Sequence, residues 1–233
     1  MKSIKCKSCQ HENPTFNLNC DNCNSILRDK VVNIDFWNII GKIIESPTEA
    51  FRIIIQAENK NFITLLFLLE IFKGFLIIRL LIPYLGIEVL ISPYYLLFYP
   101  LFLIVSILII SFFVTIITKA WKIRTRYKDN LALTIYALIP LVIGLLFLFP
   151  LEIAVFGESL FTSNPSPFLV KEYFAYLFVS LEGILLLWAA VLLTLAFRIQ
   201  FKNVLLSVTF SIFMLFVIFI LPFILLNFSK SIF

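Results

Sequence analysis

The sequence predicts an all-α integral membrane protein, a bundle of five transmembrane helices that carries a small cysteine-rich module and amphipathic interfacial helices at its N-terminal end. Three observations lead there. The 233 residues are 61% hydrophobic with 27 Phe and a mean hydropathy of +1.01, far from soluble domains, which are about half apolar and a quarter charged. The apolar residues gather into runs close to the length that crosses a bilayer. All four cysteines precede those runs, as Cys6-Lys-Ser-Cys9 and Cys20-Asp-Asn-Cys23.

Residues 1–28 read as a zinc ribbon. Two CxxC pairs separated by ten residues place two thiolates on each of two short turns, which converge tetrahedrally on one ion. Cys6, Cys9, Cys20 and Cys23 are therefore the candidate ligands of a structural zinc; iron in a rubredoxin-like site would use the same set. Asn13-Pro14, Asn17, Asn19 and Asn22 supply turn chemistry, and so short a segment has no other core, so its folding should require the metal. His11 is left outside the ligand set, since four thiolates complete it. A redox role for either CxxC lacks the surrounding strand and helix pattern. With no cysteine further on, no disulfide framework is expected, and the thiolates suit a reducing compartment. The polar start offers no apolar stretch for a secretory signal peptide.

Residues 29–60 form a linker and two amphipathic helices. Asp35 is placed to cap the first, on which Phe36, Trp37, Ile40, Ile43 and Ile44 recur at helical spacing. Ser46-Pro47-Thr48-Glu49 starts the second, with Ser46 as N-cap and Glu49 closing a capping box; Ala50, Phe51, Ile54 and Ile55 are its apolar stripe. Two placements fit: along the cytoplasmic leaflet, or packed on the spans as a collar.

Residues 61–227 divide into five spans, Asn61–Ile82, Tyr94–Thr118, Asn130–Leu151, Tyr173–Phe197 and Asn203–Asn227, with 228–233 as a short tail. Lys119, Lys122, Arg124, Arg126 and Lys128 crowd the loop after the second span, and Arg198 and Lys202 the loop after the fourth. Pro83–Pro93 carries no Lys or Arg, and Glu152–Glu172 only Lys171. With eight Lys or Arg before residue 61, the positive-inside rule puts the N-terminus in the cytoplasm and the C-terminus outside. Tyr94–Thr118, with Pro93 and Pro100 near its start, has a re-entrant alternative. Pro140 in the third span frees the carbonyl of Tyr136 and, with Gly144 one turn on, marks a helix kink; Pro222 reads the same way in the fifth. Asn227-Phe-Ser229 is a chance glycosylation triplet beside the last span.

Ser46-Pro-Thr-Glu-Ala-Phe-Arg52 before the first span, five spans, a basic second loop and Tyr136-Ala-Leu-Ile-Pro140 together resemble the Yip domain, over residues 40–227. Eukaryotic members of that five-span family are associated with Rab GTPases and early secretory traffic. The resemblance implies a role in membrane organisation without catalytic residues. Some prokaryotic members carry a zinc ribbon ahead of the membrane domain, as here, and the long acidic tail of eukaryotic members is missing, which favours a prokaryotic plasma membrane.

Glu70, Lys73 and Arg79 in the first span and Glu182 in the fourth are costly in hydrocarbon, about 2.5 to 3.5 kcal/mol for a basic or Asp side chain, and should face inward as a buried polar cluster. Lys73 lies roughly 16 Å and Glu182 roughly 22 Å from the cytoplasmic side, so Glu182 can pair with Lys73 or Arg79. Glu70 and Lys73 can also meet along one helix face, and Gly74 and Gly183 would let the first and fourth spans approach. No HExxH, GxSxG, phosphate loop or paired-Asp motif is present, and one His leaves little acid–base capacity, so no enzymatic activity is expected. The expected role is a membrane scaffold or adaptor whose ribbon docks a protein partner at the cytosolic face, with a second copy of the chain as a further partner. The alternative is a small ion or lipid transporter using the buried charges. The lysines near the ribbon are explained by an anionic leaflet rather than by nucleic acid.

Overall fold

The computed structural model describes residues 3–14, 16–28, 32–84, 93–123, 125–162, 164–221 and 224, with side chains described except at 78–84 and 93–99. Residues 85–92 of the Pro83–Pro93 loop, the Arg79 side chain, Arg124, Pro222, the Asn227 triplet and the tail lie outside the described residues.

Two strands, β1 (Ser3–Lys5) and β2 (Glu12–Pro14), pair antiparallel with Ile4 opposite Asn13. The first CxxC closes this hairpin: the Cys6 N–H donates to the His11 carbonyl and the Gln10 N–H to the Cys6 carbonyl, at 2.9 and 3.0 Å. The second repeats it at the same offsets, Cys20 to Ser25 and Asn24 to Cys20, inside an Asn19–Ile26 bridge. Gln10 and Asn24 both take a φ of 59°, the left-handed geometry that lets each turn fold back on its sulfurs.

Beyond this module most of the described chain is helical: α1 (Phe36–Glu45), α2 (Pro47–Gln56), α3 (Ile63–Tyr84), α4 (Pro93–Ala120), α5 (Tyr127–Ala137), α6 (Ile139–Ile143), α7 (Phe149–Phe156), α8 (Pro167–Phe201) and α9 (Val204–Leu215). Asp35 caps α1, its Oδ1 accepting the Asn38 N–H at 3.2 Å. The capping box expected at α2 does not form. The Ser46 hydroxyl makes no cap bond; its carbonyl accepts the N–H groups of Glu49 and Ala50, and Glu49 is drawn to Lys42 on α1 at 2.5 Å instead. All four stripe residues of α2 are buried, and α2 packs against α5 and α8, the collar arrangement. On α1 the buried pair is Ile39 and Ile43, while Trp37 and Ile44 of the expected stripe point outward.

Three helical stretches are long and apolar enough to cross a membrane: Pro100–Ala120, Ile139–Phe161 and Pro167–Phe201. α3 is 22 residues long but carries Glu70, Lys73 and Arg79, and Val204–Ile220 is a shorter apolar helix among the described residues. α4 is one helix of 28 residues, about 42 Å at 1.5 Å per residue, so the re-entrant alternative for Tyr94–Thr118 is set aside. Leu68, Phe72, Phe112, Phe113, Leu187 and Phe213 all face outward, an apolar surface of the kind that hydrocarbon rather than water covers.

The third apolar run is several short segments. α5 ends before Leu138 (φ −88°, ψ 4°), where a continued helix would drive the Pro140 ring into the Tyr136 carbonyl; Pro140 instead fills the first turn of α6. A π-wound turn, Gly144–Leu148, follows, with the Phe149 N–H bonded to the Gly144 carbonyl, and Pro150 opens α7. A wide turn of this kind accommodates the lost donor and the ring of the proline after it. A second π turn among the described residues, Phe216–Ile220 after α9, also stands two residues ahead of a proline in the sequence. The loop expected to begin at Glu152 is a correction: α7 runs to Phe156, and Glu152 is buried within it. α8 bends at Lys171 (φ −147°, ψ 74°), whose amine donates to the Val155 carbonyl at 2.9 Å.

Candidate metal centre and polar core

The four cysteine sulfurs all lie within 4.8 Å of one another, with Cys6 to Cys23 at 3.6 Å and Cys9 to Cys20 at 3.5 Å. Thiolates about 2.3 Å from a tetrahedral zinc stand about 3.8 Å apart, so the set fits one metal ion and is consistent with zinc. Polar groups surround it. The Ser25 hydroxyl lies 3.0 Å from Cys6 and 3.1 Å from Cys23, and the Ser8 N–H donates to Cys6 at 3.4 Å. The Ser25 contact, ahead of the backbone amides, draws the Cys6 thiol down to about 5. Asn13, almost fully buried, donates to the Cys20 sulfur at 3.4 Å and accepts the Asp21 N–H at 2.9 Å, orienting the second turn against the first. His11 contributes its carbonyl to Cys6 and Asn13.

This head is bonded to the helical body. Arg28 donates to the carbonyls of Phe16 at 2.8 Å and Asn17 at 3.2 Å in the head, and to that of Gln56, the last residue of α2, at 3.3 Å. The Arg126 guanidinium stacks 4.4 Å over the Phe16 ring and reaches the Ile55 carbonyl at 3.4 Å. Lys60 donates to the carbonyls of Ile54, Ile55 and Ala57. Three cations thus satisfy the unpaired carbonyls at the negative end of α2. Two carboxylates balance them. Buried Asp129 takes Lys60 at 2.8 Å and the Nε and Nη2 of Arg126 at 2.9 and 3.1 Å; Glu58 takes the Nη1 of Arg126 at 2.8 Å and Lys128 at 2.6 Å.

Below this joint, buried Asn130 donates to Thr115 at 2.8 Å and accepts from Gln200 at 2.9 Å, tying α5 to α4 and α8. Deeper still, Lys73 is fully buried and meets Glu182 at 2.5 Å. Gly144 sits beside them; a Cβ there would lie 3.5 Å from both charged atoms. Glu70 is buried with no partner for either carboxylate oxygen among the described residues, so it does not pair with Lys73, and Oε2 of buried Glu152 is also unpartnered there. The glycines expected to join α3 and α8 do not: Gly74 is packed by Leu103 of α4, and Gly183 has open space. Helix α6 packs on both α3 and α8, and Gly144, the residue after it, stands beside the Lys73–Glu182 pair.

Sequence reasoning missed Glu152, because Pro150 followed by a charge read as the end of a span. It also missed the joint, because Arg28, Lys60, Arg126 and Lys128 read as topology signals; the acids Glu58 and Asp129 among them were the available clue. No family model, no curated protein and no solved structure matches the chain.

Proposed function

We propose that the chain is a five-span membrane scaffold of the Yip type, with its N-terminus in the cytoplasm and its C-terminus outside, whose zinc-stapled head docks a protein partner at the surface of a prokaryotic plasma membrane. The observation that carries this reading is the joint: Arg28 and Arg126 bind the head to α2 and to the segment before α5. A head held in one orientation presents a fixed surface to a partner, whereas a head on a loose tether would not. α3 and the helix from α9 supply the first and fifth spans in this reading. Lys73 of α3 is tolerable in hydrocarbon because it finds Glu182.

The rival is a small ion or lipid transporter using Glu70, Lys73, Arg79 and Glu182, and the unpartnered carboxylate of Glu70 is the observation in its favour. Reconstitution of the full chain in proteoliposomes separates the two. Absence of ion flux with both wild type and Glu182→Gln supports the scaffold; flux that Glu182→Gln abolishes overturns it.

A further inference from the structure

We infer that Glu152, together with the Lys73–Glu182 pair, forms a buried binding site for one small monovalent cation, a proton or a sodium ion. The register of α7 on α8 brings the two carboxylates together. These helices are joined by the short connection 157–166 and pack on each other, so they run antiparallel. The rings of Phe156 and Phe178 meet at 5.9 Å across them. Glu152 stands four residues before Phe156 and Glu182 four after Phe178, so both lie about 6 Å, one turn, to the same side of that contact. The charge of Glu152 accordingly interacts with both Glu182 and Lys73. A Cβ built on Gly144 would lie 3.5 Å from the Lys73 amine and from Glu182 Oε1, so the π turn on which α7 packs runs beside the pair.

Lys73 is committed to Glu182 at 2.5 Å. Glu152 is 1% exposed, and its Oε2 has no partner among the described residues. Two carboxylates in a site with one ammonium leave one negative charge over, and an uncompensated carboxylate in an apolar interior is costly. An exchangeable cation on Glu152 removes that cost. The other titratable groups on the surrounding elements do not supply one. Lys171 donates to the Val155 carbonyl at 2.9 Å; Glu158, Glu172, Tyr173 and Tyr176 are exposed; and Glu70, one turn before Lys73, is itself an unpartnered acid. The Arg79 side chain lies outside the described residues. Buried Phe156 and Phe178 cover one side of the site. The Glu182 side chain is 21% exposed and Gly183 beside it has open space, so exchange runs past Glu182.

Occupancy is separate from transport: a bound cation without flux leaves the scaffold reading and the site both standing. The test is labelling of the full chain in detergent with dicyclohexylcarbodiimide, which reacts with a carboxyl that carries a proton in an apolar setting. Adducts are counted by mass spectrometry on the peptide that holds Glu152. In sodium-free buffer, labelling should fall at least tenfold between about pH 6 and pH 9. If sodium shares the site, replacing choline by sodium at fixed pH also protects Glu152, and half-protection needs about tenfold more sodium for each unit of lower pH; if the proton is the sole occupant, sodium leaves labelling unchanged while pH still controls it. Glu182→Gln removes the like charge and frees Lys73 for Glu152, so labelling at a given pH should drop about tenfold or more. Labelling of Glu152 that pH leaves unchanged, that Glu182→Gln does not lower, or that is absent at every pH, as for a carboxylate already held by Arg79, would each overturn the site. Flux that Glu182→Gln abolishes would end the scaffold reading and leave the site.

Discussion

Asp129 is the side chain on which the joint between head and body depends. Its carboxylate is fully buried and faces two cations, Lys60 and Arg126, that also bind the carbonyl end of α2. A buried ion pair contributes little net stability, but removing one partner strands the other charge in a low dielectric. Asp129→Asn is therefore expected to lower stability by about 3–5 kcal/mol, measured as unfolding free energy in detergent; a loss under about 1 kcal/mol would fit a solvated pair instead. Glu58 acts at the wetter rim. Hydrogen bonds first from Lys128 and then from Arg126 hold its carboxyl down at about 2. A group depressed by folding contributes stability that is present above its unfolded value of about 4.3 and lost as pH falls through the folded one. The difference in thermal midpoint between wild type and Glu58→Gln should thus stay constant from about pH 7 to 5 and close between about pH 4 and 2. A difference that persists at pH 2 would show that Glu58 does not work through its charge.

At the scale of elements, the π turn at Gly144 follows α6, the part of the third apolar run that packs on both α3 and α8. An added Cβ would meet the Leu185 Cδ1 at 2.8 Å, a methyl at the end of a flexible side chain that can shift. Alanine also recovers about 1 kcal/mol of helix propensity, so Gly144→Ala should be close to neutral. Gly144→Leu should cost about 1–3 kcal/mol by overpacking and part Lys73 from Glu182. Unfolding free energies of the two variants check this, and equal values would contradict the packing. Most helices were legible in the sequence because long apolar runs leave the backbone no other way to satisfy itself in hydrocarbon, and the break at Leu138 was legible through Pro140. The π turn was not. Pro150 looks like the end of a span when read locally, and only a widened turn lets the helix continue past it to bury Glu152. Ser46 shows the reverse case, a strong local capping signal overridden because Lys42 offers Glu49 an ion pair.

At the scale of the whole molecule, a cysteine-rich head whose four sulfurs could hold a metal ion and an apolar helical body are joined by six charged residues scattered from Arg28 to Asp129. The candidate ligands were legible because CxxC spacing encodes its own geometry, whereas the joint was not, since its members come together only through the path of α2, α5 and the linker between head and α1. Because so short a head has little core of its own, its order and its seat on α2 are both expected to depend on a metal held by the four cysteines. The decisive measurement is the metal stoichiometry of the purified full chain, wild type against Cys20→Ser, with limited proteolysis after Arg28 as the readout of the joint. One zinc per wild-type chain, lost in Cys20→Ser together with protection of Arg28 while helical content is unchanged, is the expected result. A wild-type chain that holds no stoichiometric metal yet keeps Arg28 protected would contradict a metal-built head.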